Sequence, residues 1–524
     1  MPCLSRRLPL LAVFFTAFLA VPVRAEDGAA QLSAKIDAII AGPNYKHSRW
    51  GLLVVDSDSG KTVYEHNPDM LFSPASVTKL YTCAAALTAL GPDYRFETPV
   101  YRRGEVAGGR LHGDLILVAQ GDLSFGGRGD AHGTLLFKDH DHIYANWLST
   151  RTELTDSDPL AGLASLAHQI KESGIKHIDG DVLIDDRLFA RSRGSGSGPD
   201  VVTPILVNDN LVDVLVTPAA KAGQPATIDV RPQTAYVQID AQVDTVAEGK
   251  PMRLETERVG PERFVVRGEI PVGAKPLVRI CPVDDPAAFA RALFIEALRR
   301  EGVSVQVGVH QSPTAELPEK TGYKDLTRVA VLKSLPFSEA VKVTLKVSHN
   351  LYASTLPLLV AAHSGKRTLA EGLHQERQLL ADLGVDVDAI SLESGAGGGN
   401  GDRVTPRATV QLLQGMAKRP EWAVYKAAMP VLGVDGTLVD VVDADSPARG
   451  KASAKTGTYG DNDLLNGRML LRAKSLAGVM TTESGRSLTF AIFVNDVPMP
   501  PGGDPAREGR VLGRLCEILY ENAP

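Results

Sequence analysis

The sequence predicts an α/β (α+β) protein in which a helix-and-sheet domain is split by a long strand-rich segment. Three observations carry this reading. Residues before 94 pattern as a hairpin followed by a helix, and residues after 333 pattern as helices followed by strands. Between them, residues 94–333 change to short strands and turns. A chain of 524 residues with 44% hydrophobic composition has room for several domains that each bury a core, so one small domain is excluded.

The first 25 residues read as a secretory signal. Arg6 and Arg7 precede an apolar run over 8–21, and Val23-Arg24-Ala25 places small residues at the cleavage positions. That run is shorter than the roughly 20 residues needed to span a bilayer, which favours cleavage near Glu26 over a retained anchor. Ser5-Arg6-Arg7 hints at a twin-arginine signal, but Pro9 and the missing basic residue after the pair favour the ordinary route. Cys3 precedes the apolar run and is no lipoprotein cysteine. The expectation is an exported protein of the periplasm or cell-envelope space. Loss of Arg6, Arg7 and Arg24 moves the formal charge from −6 to −9. An acidic chain without Lys/Arg blocks gives no encouragement to nucleic-acid or anionic-lipid binding, so neither is expected as a partner.

A helix over 32–40 precedes the hairpin of 51–56 and 61–64, turned by Ser57-Asp58-Ser59-Gly60. Ser73 is expected to cap a helix with Pro74 in its first position, running through Lys79 to about Leu90. Within 94–333, strands are expected at 115–118, 182–184, 236–239 and 264–266. Leu160, Leu163, Leu166 and Ile170 mark one helix face, and Asp285-Pro286 opens a second helix closed by Gly302. Residues 193–199, Arg-Gly-Ser-Gly-Ser-Gly-Pro, read as a flexible surface loop because they lack the strand, helix and lysine of a phosphate cradle. The chain is then helical to about 383, passes a glycine-rich loop at 395–401, and is helical again over 406–418. Strands follow at 452–458, 475–482 and 488–494. The last helix presents Val511, Leu512, Leu515, Ile518 and Leu519, and it packs on the sheet rather than anchoring in a membrane because its polar face is not lysine-rich.

Cys83, Cys281 and Cys516 are an odd, sparse set, so the fold does not depend on a disulfide framework, and Cys83 among alanines reads as an inert core thiol. The disulfide status of Cys281 and Cys516 stays open. Asp139-His140-Asp141-His142 matches no strong metal-ligand pattern and reads as a solvated loop. HExxH, CxxC and Walker patterns are absent, so no metal and no cofactor is expected.

Three short motifs carry chemistry. Ser76-Val77-Thr78-Lys79 puts a hydroxyl and an amine on one helix face, one turn apart, in a first turn whose free N–H groups favour developing negative charge. A serine needs such a base, and the lysine serves only if burial or a second cation, for which Lys455 is the candidate, lowers its pKa. Lys455-Thr456-Gly457-Thr458 ends an alternating stretch. A strand edge there offers an ammonium, two hydroxyls and a backbone N–H to a carboxylate and an acyl oxygen, with Gly457 allowing close approach. Ser348-His349-Asn350 lies on a turn between helical stretches, where a hydroxyl relays a proton to a leaving amine and an amide holds Lys79 and substrate. His349 is expected to point away from the site. Two decoys are set aside: Ser173 to Lys176 is a solvated helix end, and Lys320-Thr321-Gly322 is a surface turn. Asp435-Gly436-Thr437 is a turn rather than a catalytic carboxylate.

Together with Gly113-Asp114-Leu115, Gly121-Asp122, Gly180-Asp181, Val207-Asn208-Asp209-Asn210, Gly433-Val434-Asp435-Gly436-Thr437-Leu438 and Phe493-Val494-Asn495-Asp496, these motifs resemble the low-molecular-mass class C penicillin-binding proteins, serine-type D-alanyl-D-alanine carboxypeptidases/endopeptidases. The resemblance implies a transpeptidase/β-lactamase-like domain, an antiparallel sheet flanked by helices plus a helical subdomain, over 26–93 and 334–524. Inserted mixed α/β modules occupy 94–333, an arrangement that suits the 269 positions separating Lys79 from Ser348. It implies Ser76 as acylated nucleophile, Lys79 as base and Ser348 as proton relay. Asn350, Lys455, Thr456, Gly457 and Thr458 bind substrate, and the N–H groups of Ser76 and Thr458 form the oxyanion hole. The implied partners are peptidoglycan stem peptides, with β-lactams as covalent inhibitors. Ser354 stands where the family commonly has an acidic residue, and Leu392-Glu393-Ser394-Gly395 departs from its Asp-Gly-Ser-Gly segment. A β-lactamase is the rival enzyme, disfavoured by the insertion and the missing ExxLN-type glutamate. The other rival is a non-catalytic wall-binding protein of the same fold, disfavoured by the intact motifs.

Overall fold

The computed structural model describes residues 23–146 and 151–523, so most of the expected signal segment lies outside the described residues. A five-stranded antiparallel sheet is built from the two ends of the chain. Its strands are β1 (Arg49–Asp56), β2 (Thr62–His66), β3 (Ala452–Asp463), β4 (Arg468–Thr481) and β5 (Ser487–Pro498), in the spatial order β3-β4-β5-β1-β2. β1 reads as a near-continuous apolar run because both faces of the sheet are covered. Leu52 and Val54 join the terminal helices in one core, whereas Leu53 and Val55 join the helical layer in another.

Helix α1 (Val23–Ile40) packs with the C-terminal helix on the first face, where Leu32, Ile36, Leu512 and Leu515 are buried. The second face carries α2 (Thr78–Leu90), α3 (Phe337–Lys346), α4 (Asn350–His363), α5 (Leu369–Asp382), α6 (Pro406–Ala417) and α7 (Trp422–Ala428). The C-terminal helix, α8, spans Ala506–Asn522. α2 is buried from Thr78 to Leu87, which explains its near absence of charge apart from Lys79. α5 opens with a Thr368/Glu371 capping box, and α6 opens with a Thr405 cap before Pro406.

The expected Ser73 cap is not made. Asn495 on β5 takes the Ser73 N–H (2.7 Å) and donates to its carbonyl (3.1 Å), so the chain enters α2 through a 3-10 turn, Ala75–Val77, with Ala75 at φ +46°. Tertiary bonding to the sheet has replaced local capping.

Residues 97–333 form sheets of their own. The largest has six strands and includes Glu97–Ala107, Arg110–Val118 and Thr327–Lys333. Two three-stranded sheets centre on Leu211–Thr217 and Arg263–Pro271, and helices Ala161–Glu172 and Pro286–Arg300 share their core. The cysteines at 83, 281 and 516 are free and buried. Among the described residues no helix is long and apolar enough to cross a membrane.

Candidate active site

The Ser76 turn is pinned from below. Ser475 of β4 donates to the Pro74 carbonyl at 2.7 Å, and a Cβ on Gly457 would come within 2.4 Å of that same carbonyl and 2.2 Å of the Ser475 hydroxyl. β3 therefore packs against the turn only because position 457 lacks a side chain. Ser76 stays half-buried, and Lys79 one turn on is fully buried. Lys79 Nζ donates to Ser76 Oγ (2.9 Å), Asn350 Oδ1 (2.8 Å) and the carbonyl of Ala396 (2.7 Å). Ala396 belongs to the glycine-rich loop, and the loop reaches this position because Gly397, at φ +84°, passes where a Cβ would strike the Ala75 carbonyl at 1.9 Å.

The second motif sits between α3 and α4. Ser348 adopts φ +62°, and its Oγ accepts from Lys455 Nζ at 2.9 Å. Lys455, fully buried on β3, also donates to the Thr456 carbonyl at 2.8 Å. Thr456 is bonded hydroxyl to hydroxyl with Thr437 (2.8 Å), while the exposed Thr458 accepts from Lys474 Nζ of β4 (2.8 Å), its partner in the strand register. Direct hydrogen bonds thus join Ser76, Lys79 and Asn350 in one set and Ser348 and Lys455 in a second, and Thr456, Gly457 and Thr458 continue along the strand edge that carries Lys455.

Burial sets the proton inventory. Lys79 is pushed down to about 7, and desolvation is the main cause. The cation expected to depress it, Lys455, is itself held well below the usual ammonium range, first by burial and then by repulsion from Lys79 and Lys474. Burial also lowers Lys474 to about 8. Asp402 acts against this shift at Lys79, and Asp504 and Glu508 act against it at Lys474, but burial prevails and supplies a neutral amine at Lys79 near neutral pH.

The decoys stay outside. Ser173 ends the helix Ala161–Glu172, and Lys320 to Gly322 lie in an exposed 3-10 turn. Two loop expectations are corrected. Residues 193–199 are not a free surface loop: Ser195 bonds Ser394 (2.8 Å) and, through its N–H, Ser354 (3.3 Å), and the Ser197 carbonyl accepts from Asn350 Nδ2 (2.8 Å). Nor is the Asp139 to His142 stretch solvated, because Asp141 and His142 are buried. Asp141, His142 and Asp209 cluster as potential metal ligands, but Arg128 donates to both carboxylates (2.7 and 2.6 Å) and each His142 ring nitrogen faces a carboxylate, Asp209 or Asp213. The cluster is neutralised from within. Sequence reasoning missed the Ala396 carbonyl, Thr437, Tyr144, Ser197 and Lys474. Of these Ala396, Ser197 and Thr437 lay in segments already singled out, but as a glycine-rich loop, a surface loop and a turn.

A model of the D-Ala-D-Ala carboxypeptidase 3 (S13) family matches residues 32–508. The chain is 31% identical over 551 residues to a D-alanyl-D-alanine carboxypeptidase of Actinomadura sp. (strain R39), covering 99% of this chain and 90% of that protein. It is 24% identical to the D-alanyl-D-alanine carboxypeptidase DacB of Haemophilus influenzae, covering 86% and 85%. The crystal structure of penicillin binding protein 4 (dacB) from Haemophilus influenzae superposes with a TM-score of 0.67 at 23% identity, covering 94% of this chain and 99% of that one. The same protein complexed with a β-lactam gives 0.64 at 22% identity, with the same coverage.

Proposed function

The chain belongs to the D-Ala-D-Ala carboxypeptidase 3 (S13) family and is a D-Ala-D-Ala carboxypeptidase, a hydrolase, and we propose that Ser76 carries the reaction as an acyl-enzyme nucleophile. The observation that supports this most is the continuous contact from Ser76 Oγ through Lys79 to Asn350, with Ser348 and Lys455 alongside.

In this reading the neutral form of Lys79 takes the Ser76 proton as Oγ attacks the carbonyl of the penultimate D-alanine of a peptidoglycan stem. The oxyanion forms against the N–H groups of Ser76 and Thr458. Ser348 passes a proton to the leaving amine of the terminal D-alanine, and Lys455 donates to Ser348 Oγ behind it. The terminal carboxylate is held by Thr456 and Thr458, and water then releases the acyl group. β-Lactams acylate the same serine, in keeping with the β-lactam complex of the similar Haemophilus influenzae protein. We further assign cleavage of D-alanyl cross-links, a domain division into 26–93 with 334–524 and an inserted 94–333, and export to the cell envelope. Ser76→Ala is expected to abolish D-alanine release and fluorescent-penicillin labelling while the protein stays folded, and retention of both would overturn the reading. Mass spectrometry of digested sacculi tests the endopeptidase part, since loss of cross-linked dimers is required for it.

A further inference from the structure

Each residue of the Ser348-His349-Asn350 motif is met by a different residue from the intervening segment 94–333. Tyr144 donates its hydroxyl to the Ser348 carbonyl. His349, fully buried, has its Nε2 at 3.3 Å from Asp209 Oδ2. Asn350 donates from Nδ2 to the Ser197 carbonyl at 2.8 Å, which fixes the amide so that its Oδ1 faces Lys79.

These contacts add to the local bonds of the motif, in which the His349 N–H donates to the Thr344 carbonyl and the His349 side chain caps α4. Ser348 sits at φ +62°, a conformation that persists in a non-glycine residue only when its surroundings over-determine it. The His349 tautomer follows from its bonds. Nδ1 accepts from the Tyr352 N–H at 3.3 Å, so Nε2 carries the hydrogen and lies against the Asp209 carboxylate in an electrostatic contact without hydrogen-bond geometry. Asp209 is itself placed by strain, lying in a run of three left-handed residues, Asn208, Asp209 and Asn210, at φ +48°, +54° and +57°. Its carboxylate is anchored by Arg128 (2.6 Å) and His142 (2.8 Å). Such a cluster, almost solvent-free, is rigid in a way that a surface loop is not.

We propose that the intervening segment is the positioning element for the second motif, with Tyr144, Asp209 and Ser197 holding Ser348, His349 and Asn350 in the geometry that proton delivery to the leaving group requires. The inference rests on the reading of Ser348 as proton relay. Tyr144, Asp209 and Ser197 act through the motif and do not touch the reacting atoms.

The test separates proton delivery from nucleophilic attack. An amide substrate such as an acylated D-Ala-D-Ala peptide needs its leaving amine protonated, whereas a thioester analogue of the same acyl group expels a thiolate unaided. Tyr144→Phe and Asp209→Asn are expected to lower kcat/KM for the amide by about 10- to 100-fold, within the range of general-acid effects, and to leave the thioester within about threefold. Tyr144→Phe removes one hydroxyl and carries the test if Asp209→Asn does not fold. A parallel fall for both substrates, or no change for the amide, in a folded Tyr144→Phe protein overturns the positioning role. If the unaltered protein turns over neither substrate, it is the Ser76 acyl-enzyme reading that falls.

Discussion

The pH dependence of acylation follows directly from the burial of Lys79. At pH 7 an amine titrating near 10.5 is neutral in about one molecule in 3,000, whereas one titrating at about 7 is neutral in about half, a gain on the order of a thousandfold in competent base. Because catalysis needs the neutral form, the rate must be low in acid and rise with pH. Acylation by a fluorescent penicillin, followed by stopped flow at constant ionic strength, is expected to increase tenfold per pH unit below 7 and to level above it. The rate at pH 5 should be about fiftyfold below that at pH 7. Lys79→Arg keeps a cation but cannot deprotonate, so it should lose at least about 100-fold and show no acidic limb. An inflection above pH 9, a flat profile from pH 5 to 9, or a limb retained in Lys79→Arg would refute the argument that burial of this amine creates the base.

Two further predictions concern packing and buried charge. Gly457→Ala should sharply reduce penicillin labelling, because its Cβ would stand 2.2 Å from Ser475 Oγ and 2.4 Å from the Pro74 carbonyl, forcing β3 away from the Ser76 turn; labelling at the unaltered rate would show that the turn has slack. Glu376 of α5 is buried, and desolvation pushes its carboxyl up to about 8. A raised carboxyl means that the folded state holds its proton where the unfolded state has lost it. Stability from this group is therefore full below about 4.5 and falls as pH rises to about 8, by on the order of 1.4 kcal/mol per pH unit. Glu376→Gln should flatten that slope in urea unfolding measured from pH 5 to 9, and equal slopes in the two proteins would count against it.

What the sequence made legible is mostly local. The hairpin, the helix opened by Asp285, the helix beginning at Pro406, and the three C-terminal strands appear where apolar periodicity and turn residues put them. The one-turn spacing of Ser76 and Lys79 likewise became a 2.9 Å contact, although tertiary bonds from Asn495 and Ser475 shape the turn that carries Ser76. The failures are contacts between distant segments. Ser73 looks like a cap until Asn495 takes both its backbone groups, and Asp141 with His142 looks solvated until Arg128 and Asp209 close over them. Residues 193–199 have the composition of a mobile linker, and nothing in that composition announces that Ser197 will turn a carbonyl toward Asn350.

The central sheet joins strands from opposite ends of the chain, and that has a consequence for synthesis. Asn495, which grips the chain at Ser73, follows it by 422 positions. At 5–20 residues per second, about 20–80 s of translation separate the two. Throughout that interval β1 and β2 lack β5, the Ser76 turn lacks the strand that buttresses it, and Lys79 is not yet buried. The nascent chain is thereby kept chemically idle: the nucleophile is made early and armed last, when the final strands arrive.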